Sequence, residues 1–149
     1  MSRSINEVAI AALARREHSV LEIKRKLKHK GFNEGEIEES IAQLIENNLL
    51  SEERFTESYI NMRKRRGYGP TRIAQELRER GISEECFDSY LDRNNGEWRE
   101  VMRDQYIKKY GQTVAAEYSE KAKRAKYIQS RGFPLDWVFK LDSMDELEY

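Results

Sequence analysis

The sequence predicts an all-α protein, an elongated array of three tandem three-helix repeats with about nine helices in helix-turn-helix-like units. Three observations carry this. Charged residues make up 36% of the 149 and hydrophobic residues 38%, which suits a string of small cores better than one large one. Gly (8) and Pro (2) are scarce while helix-favouring Lys, Arg, Glu, Gln and Ala are plentiful, so elements are long and turns few. The third observation is a pattern that recurs around Gly31, Gly81 and Gly132, at spacings of 50 and 51 residues. No stretch alternates with period two over more than a few residues, so no sheet is expected.

Around each of these glycines the same residue types return. A basic residue precedes it (Lys30, Arg80, Arg131) and an apolar one follows (Phe32, Ile82, Phe133). An aliphatic residue lies four positions before (Leu27, Leu77, Ile128) and another apolar residue six positions after (Ile37, Phe87, Val138). A helix starter stands two positions on: Asn33, Ser83 or Pro134. The mechanical reading is a helix ended by glycine in the left-handed conformation, an apolar residue tucked back on the core, and a new helix. The starters supply a side-chain cap or a proline in the first turn. With one further helix ahead of each pair, the repeats span residues 1–49, 50–94 and 95–149.

The elements follow in order. Ile5, Val8 and Ala12 form one stripe of the first helix. Ser19 and Glu22 make a capping-box pattern ahead of Ile23 and Leu27. Ile37, Ile41, Leu44 and Ile45 keep helical spacing in the third. Ser51 caps a fourth helix carrying Phe55, Tyr59 and Met62. Gly69-Pro70 opens the fifth, with Ile73 and Leu77 inward, and Ser83 the sixth, with Phe87, Tyr90 and Leu91. Trp98, Val101, Met102 and Gln105 begin the seventh, which ends near Gly111. Ala122, Ala125 and Ile128 line the eighth; Leu135, Val138 and Leu141 line a short ninth. The third copy is looser: Gly111 to Tyr118 is a longer connection, and Arg124 stands where Ile23 and Ile73 stand in the others.

The chemistry-bearing residues predict a binding protein rather than an enzyme. The two histidines, His18 and His29, are eleven apart and form no H-E-x-x-H pattern. There is no phosphate loop, dinucleotide fingerprint or nucleophile elbow. No metal and no cofactor are expected. A single cysteine, Cys86, excludes an internal disulfide and fits a reducing cytoplasm. No apolar run approaches the roughly 18 residues of a membrane span, and no signal peptide is visible.

Net charge is zero, with 27 basic and 27 acidic residues, so the charge argument rests on distribution. Lys24, Arg25, Lys26, Lys28 and Lys30 crowd the end of the second helix. Arg63, Lys64, Arg65 and Arg66 end the fourth, and Lys121, Lys123, Arg124 and Lys126 occupy the eighth. Asn33 to Glu53 holds seven glutamates and no Lys or Arg, and Asp142 to Tyr149 four acids and no base. One or two cations at a helix C-terminus are explained by the dipole, at about 0.3–1 kcal/mol each. Five in seven positions, or four in a row, repel one another beyond that need, and a polyanion or acidic protein surface would offset the repulsion. As a surface run, Arg63–Arg66 is expected to tolerate alanine without loss of fold. Tyr68, between Gly67 and Gly69, is either a packing plug or an exposed contact. Arg72 lies just beyond it.

The stretch L-S-E-E-R-F-T-E-S-Y-I, Leu50 to Ile60, followed by R-R-G-Y-G-P-T-R-I-A-Q-E-L-R-E-R-G-I, Arg65 to Ile82, resembles the signature of the RecX regulatory proteins. The flanking copies resemble that family's first and third repeats, with departures in the third copy and the acidic tail. The resemblance implies a chain that binds RecA and its DNA filament. Such a protein limits filament extension and inhibits recombinase, ATPase and coprotease activity in DNA repair and the SOS response. It implies direct contact with single- or double-stranded DNA in some members, no cofactor, no membrane and a monomer. A twelve-residue helix is about 18 Å long, so three units in a row would reach about 50–70 Å, enough for a filament groove. The candidate contacts are the three basic runs with Tyr68 and Arg72. The rival reading is a direct DNA-binding helical module, with the glycine turns as those of helix-turn-helix folds. Zero net charge and flanking acids weigh against it.

Overall fold

The computed structural model describes residues 3–141. Among the described residues there are nine α-helices and no strand. They are α1 (Ile5–Arg15), α2 (Val20–His29), α3 (Glu34–Glu46), α4 (Glu52–Arg65), α5 (Pro70–Glu79), α6 (Glu84–Leu91), α7 (Glu97–Tyr110), α8 (Tyr118–Ser130) and α9 (Leu135–Phe139). The all-α class is as the periodicity predicts. The acidic segment Asp142–Tyr149 lies outside the described residues.

The helix starts follow from their capping residues. Ser19 and Glu22 form the reciprocal capping box, each side chain taking the other's backbone N–H at 3.1 Å. Asn33 Oδ1 accepts from Glu36 N–H, Ser51 Oγ from Arg54 N–H and Ser83 Oγ from Cys86 N–H. Helices α8 and α9 start without a side-chain cap, while at α7 the N-cap is Gly96 and Asn95 Oδ1 accepts from Glu97 N–H at 2.9 Å. Gly31, Gly81 and Gly132 take φ of +95°, +79° and +104°, as the recurring helix stop requires.

Two compact units divide the described chain, and each takes part of α4 and α5. The first comprises the residues up to Tyr59 together with Leu77–Tyr90. In it α1, α2 and α3 pack on one another. Ala9, Ala12, Ile23, Leu27, Ile37, Ile41, Leu44 and Leu50 form one buried cluster, with Val8 and Phe32 packed at its edge. Phe32 N–H and Ile82 N–H each return to the carbonyl five residues back, on Leu27 and Leu77, which draws both apolar side chains onto the core. His18 is buried with Nδ1 3.0 Å from the Arg16 carbonyl, and burial pulls its pKa down. Arg80 lies over the Tyr59 ring at 4.7 Å.

The second unit comprises Ile60–Glu76 and the residues from Leu91 onward. Here α7 packs on α8 and α8 on α9. Trp98 is fully buried, and its indole N–H is shared between the Leu91 and Asp92 carbonyls at 3.0 Å. Met102, Ile128, Phe133, Val138 and Leu141 are buried as well.

Candidate anion-binding interface

The run Arg63–Arg66 ends α4 and feeds the turn Gly67-Tyr68-Gly69-Pro70, with Tyr68 N–H reaching back to the Arg63 carbonyl at 3.1 Å. Pro70 then opens α5, where a missing N–H costs nothing. This turn is docked on the one between α8 and α9. Gly69 N–H donates to the Arg131 carbonyl and Thr71 N–H to the Gly132 carbonyl, both at 2.9 Å. The backbones come so close that side chains are excluded. A Cβ on Gly69 would lie 2.4 Å from the Gly132 carbonyl oxygen, and one on Gly132 would lie 2.3 Å from Arg72 Cβ.

That docking gathers three guanidiniums on one ring. The Cζ atoms of Arg63, Arg131 and Arg72 lie 3.8, 4.0 and 4.4 Å from the centroid of Tyr68. Arg63 is locked by a two-pronged pair with Glu76, at 2.9 and 2.8 Å. Arg72 Nε stands 3.8 Å from the same carboxylate. Arg131 donates through Nη2 to the Arg66 carbonyl at 2.7 Å and to Gln105 Oε1 at 3.2 Å. Arg63 and Arg72 thus share the Glu76 carboxylate. The field of Arg131 first, then of Arg63 and Arg72, pulls the Tyr68 phenol below its usual pKa despite slight burial. Tyr68 is half-buried, with three guanidiniums within 4.4 Å of its ring centroid, so the ring organises cations.

The remaining candidates divide by environment. Arg65 and Arg66 are exposed. Lys64 pairs with Glu97 at 2.7 Å and covers the Trp98 ring at 4.6 Å. With Arg63 and Lys64 only 13% and 19% exposed, Arg63–Arg66 is not the freely replaceable surface run expected from its composition. In the first unit Lys24, Arg25, Lys26, Lys28 and Lys30 are all exposed, because Ile23 and Leu27 take the buried face of α2. Lys26 and Lys30 line a pocket of about 460 Å³ with Arg3, Arg15 and Phe32. In the second unit Lys121, Lys123 and Lys126 are exposed. Arg124 is the exception. It is buried, donating to Glu120 at 3.1 Å, the Tyr106 hydroxyl at 3.0 Å, the Thr113 carbonyl at 2.7 Å and Thr113 Oγ1 at 3.1 Å. Its fork is spent inside the unit, so its place as a surface contact is corrected to a structural one. Its correspondence with Ile23 and Ile73 was the signal for this.

Arg131, Arg3 and Arg15 were not among the sequence candidates. Arg131 carried a signal: it is the basic residue that precedes the repeat glycine, like Arg80, which also stacks on a tyrosine. Among the described residues no group of three or more His, Cys, Asp or Glu is placed to hold a metal ion, and no helix is long and apolar enough to cross a membrane.

Comparison with known proteins gives the chain its kinship. Residues 7–44 match the model of the RecX first three-helix domain, and residues 51–91 that of its second three-helix domain. This chain belongs to the RecX family. It is 36% identical to a protein named regulatory protein RecX from Pseudomonas fluorescens, over 93% of this chain and 89% of that one. It is likewise 36% identical to the RecX of a Pseudomonas putida strain, over 97% and 93% of the two chains. The crystal structure of RecX from Lactobacillus salivarius superposes with a TM-score of 0.80 at 20% identity, covering 96% of this chain and 95% of that one. Arg63, Tyr68 and Arg72 fall inside the matched second RecX domain, whereas Arg131 lies outside both matched segments.

Proposed function

We propose that this RecX-family chain is a negative modulator of RecA. It binds RecA and the RecA–DNA filament, limits filament extension, and inhibits the recombinase, ATPase and coprotease activities in DNA repair and the SOS response. It acts in the cytoplasm as a monomer without a cofactor, through three repeats at residues 1–49, 50–94 and 95–149. The observation that carries this reading is the arginine cluster on Tyr68, in a chain whose relatives are named regulatory proteins. Two docked turns hold three guanidiniums on one ring, beside the exposed Arg65 and Arg66, so cationic groups are concentrated on a rigid support. Such a concentration suits phosphate or an acidic protein surface. Arg65, Arg66, Arg72 and Arg131 supply the contacts here, and Arg63 and Tyr68 position them. The exposed lysines of α2 and α8, with Arg25, Arg3 and Arg15, extend the basic surface of each unit.

The test is inhibition of the DNA-dependent ATPase of RecA by the Arg65→Ala/Arg66→Ala/Arg131→Ala chain. Loss of two or more charge-assisted contacts should raise the concentration for half-inhibition by about tenfold or more. Unchanged inhibition, with helix content intact by circular dichroism, would remove the cluster from the interface. The same cluster suits DNA phosphate alone, which keeps direct DNA binding as the second reading. Strong sequence-specific binding to duplex DNA without RecA would favour that alternative.

A further inference from the structure

The first unit carries a pocket whose cations have no partner. Along α1, Val8, Ala11, Ala12 and Arg15 keep the i, i+3, i+4, i+7 spacing of one helix face. Lys26 and Lys30 stand one turn apart at the end of α2, Phe32 follows the Gly31 turn, and Arg3 precedes α1. Together they line a hollow of about 460 Å³, within the roughly 300–1,000 Å³ of sites that hold small ligands. Its composition is one-sided. The floor is apolar: Ala12 belongs to the buried cluster, and Val8 and Phe32 pack against it. The rim is cationic and exposed, with Arg3, Arg15, Lys26 and Lys30 and no carboxylate, hydroxyl or amide side chain in the lining. Among the described residues, none of these four cations is bonded to a carboxylate. Other cations of the same unit are, Arg16 to Glu22 at 3.1 Å and Arg54 to Glu17 at 2.9 Å.

We propose that this pocket receives an acidic peptide segment of a partner protein, with one apolar side chain seated on the floor and flanking carboxylates at the rim. Two kinds of complementarity meet here: apolar against apolar in the middle, acid against base around it. The lining also separates a peptide from a nucleic acid. A nucleobase carries N–H donors beside its acceptors, and no side chain of the lining can accept from them, so a seated base would keep polar atoms unpaired. An apolar side chain makes no such demand, and carboxylates beside it take charge-assisted hydrogen bonds from the Arg and Lys donors. The proposal rests on the function proposed above for the existence of a protein partner, and it narrows that function: this pocket takes protein, while exposed cations outside it remain for phosphate.

Direct binding to the full chain, with no RecA present, tests it. The probe is a fluorescein-labelled peptide of alternating Asp and Glu around one central Phe. Fluorescence anisotropy should give a Kd of about 100 μM or tighter, and Ser in place of the Phe should weaken it about tenfold. Lys26→Gln/Lys30→Gln, both at exposed positions, should also weaken it about tenfold. Arg99→Gln/Lys108→Gln removes the same charge from exposed positions on α7 and should change it less than twofold. Ala11→Trp fills the hollow, so with helix content intact by circular dichroism the Phe and Ser peptides should bind that variant alike. No binding of the Phe peptide, or equal binding of the two peptides to the parent chain, would overturn the proposal. So would an unchanged Kd in the Lys26→Gln/Lys30→Gln chain. Displacement of the bound Phe peptide by equimolar oligothymidylate would make the pocket a nucleic-acid site and overturn it too. Because RecA is absent from the assay, these outcomes are separate from the ATPase test of the proposed function.

Discussion

If the arginine cluster meets a partner as proposed, Tyr68 serves the contact by holding the arginines in place. Its ring holds three guanidiniums together by its negative faces, each contact worth about 0.5–2 kcal/mol. Tyr68→Phe keeps those faces and should inhibit RecA ATPase within about twofold of the parent. Tyr68→Leu keeps bulk but loses the quadrupole, and should weaken inhibition by about tenfold as Arg72 and Arg131 disperse. Arg124 is the opposite case, a cation whose whole donor set is internal. Arg124→Ala removes a buried side chain and the hydrogen bonds that tie α8 to Tyr106 and Thr113, and should lower the thermal midpoint by about 2–4 °C or more, while Lys123→Ala leaves it unchanged. His18 adds a pH term. Burial depresses its pKa in the folded chain, so above the ordinary value of 6.5 it is neutral folded or unfolded and adds no pH dependence. As pH falls below 6.5 the unfolded chain takes up a proton that the folded one resists, and stability declines. Melting at pH 7 and pH 5.5 should show this decline, and His18→Asn should flatten it.

At the scale of the element, the same glycine turn is used three times with different demands on the glycine. Each takes positive φ, so alanine costs about 1–2 kcal/mol for the backbone alone. At Gly31 a Cβ meets nothing within 4 Å, so that is the whole cost. At Gly81 it meets Leu21 Cβ at 3.0 Å, so the neighbouring helix must give by a few tenths of an ångström. At Gly132 it meets Arg72 Cβ at 2.3 Å and the Gly69 carbonyl oxygen at 3.0 Å, which cannot yield without breaking the docked turns. Urea denaturation should therefore rank the alanine variants Gly31, Gly81, Gly132 in rising cost, the last exceeding about 3 kcal/mol. Gly132→Ala should also impair RecA inhibition, because the turn that it holds delivers Arg131 and Arg72 to Tyr68.

For the whole molecule, a net charge of zero conceals local surplus. Screening sets in over about 10 Å at 0.1 M salt, so a partner meets the nearest charges and not the sum. Binding to the filament should weaken steeply with salt although the chain is neutral. Each phosphate contact removed by mutation should reduce the log–log slope by about 0.7 on single strands or 0.9 on duplex. Titration of the parent and the Arg65→Ala/Arg66→Ala/Arg131→Ala chain across 50–200 mM salt measures this. A flat salt dependence in the parent would mean that apolar contacts dominate.

The helices were legible in the sequence because their causes are local. Ser19 with Glu22, Asn33, Ser51, Pro70 and Ser83 act within one turn of where they stand, and the repeat glycines stop helices by their own backbone freedom. The basic runs were legible as composition, but composition does not say which cations are spent. Arg63 is tied to Glu76, thirteen residues on, Lys64 to Glu97, thirty-three on, and Arg124 is folded inward where its isoleucine counterparts sit. Nor could spacing place Arg131 on Tyr68, sixty-three residues away. Local sequence determined the helices, their caps and their stops, because those forces act within a few residues. Tertiary structure alone decided which charges remain for a partner, because pairing and burial join residues that only the folded chain brings into contact.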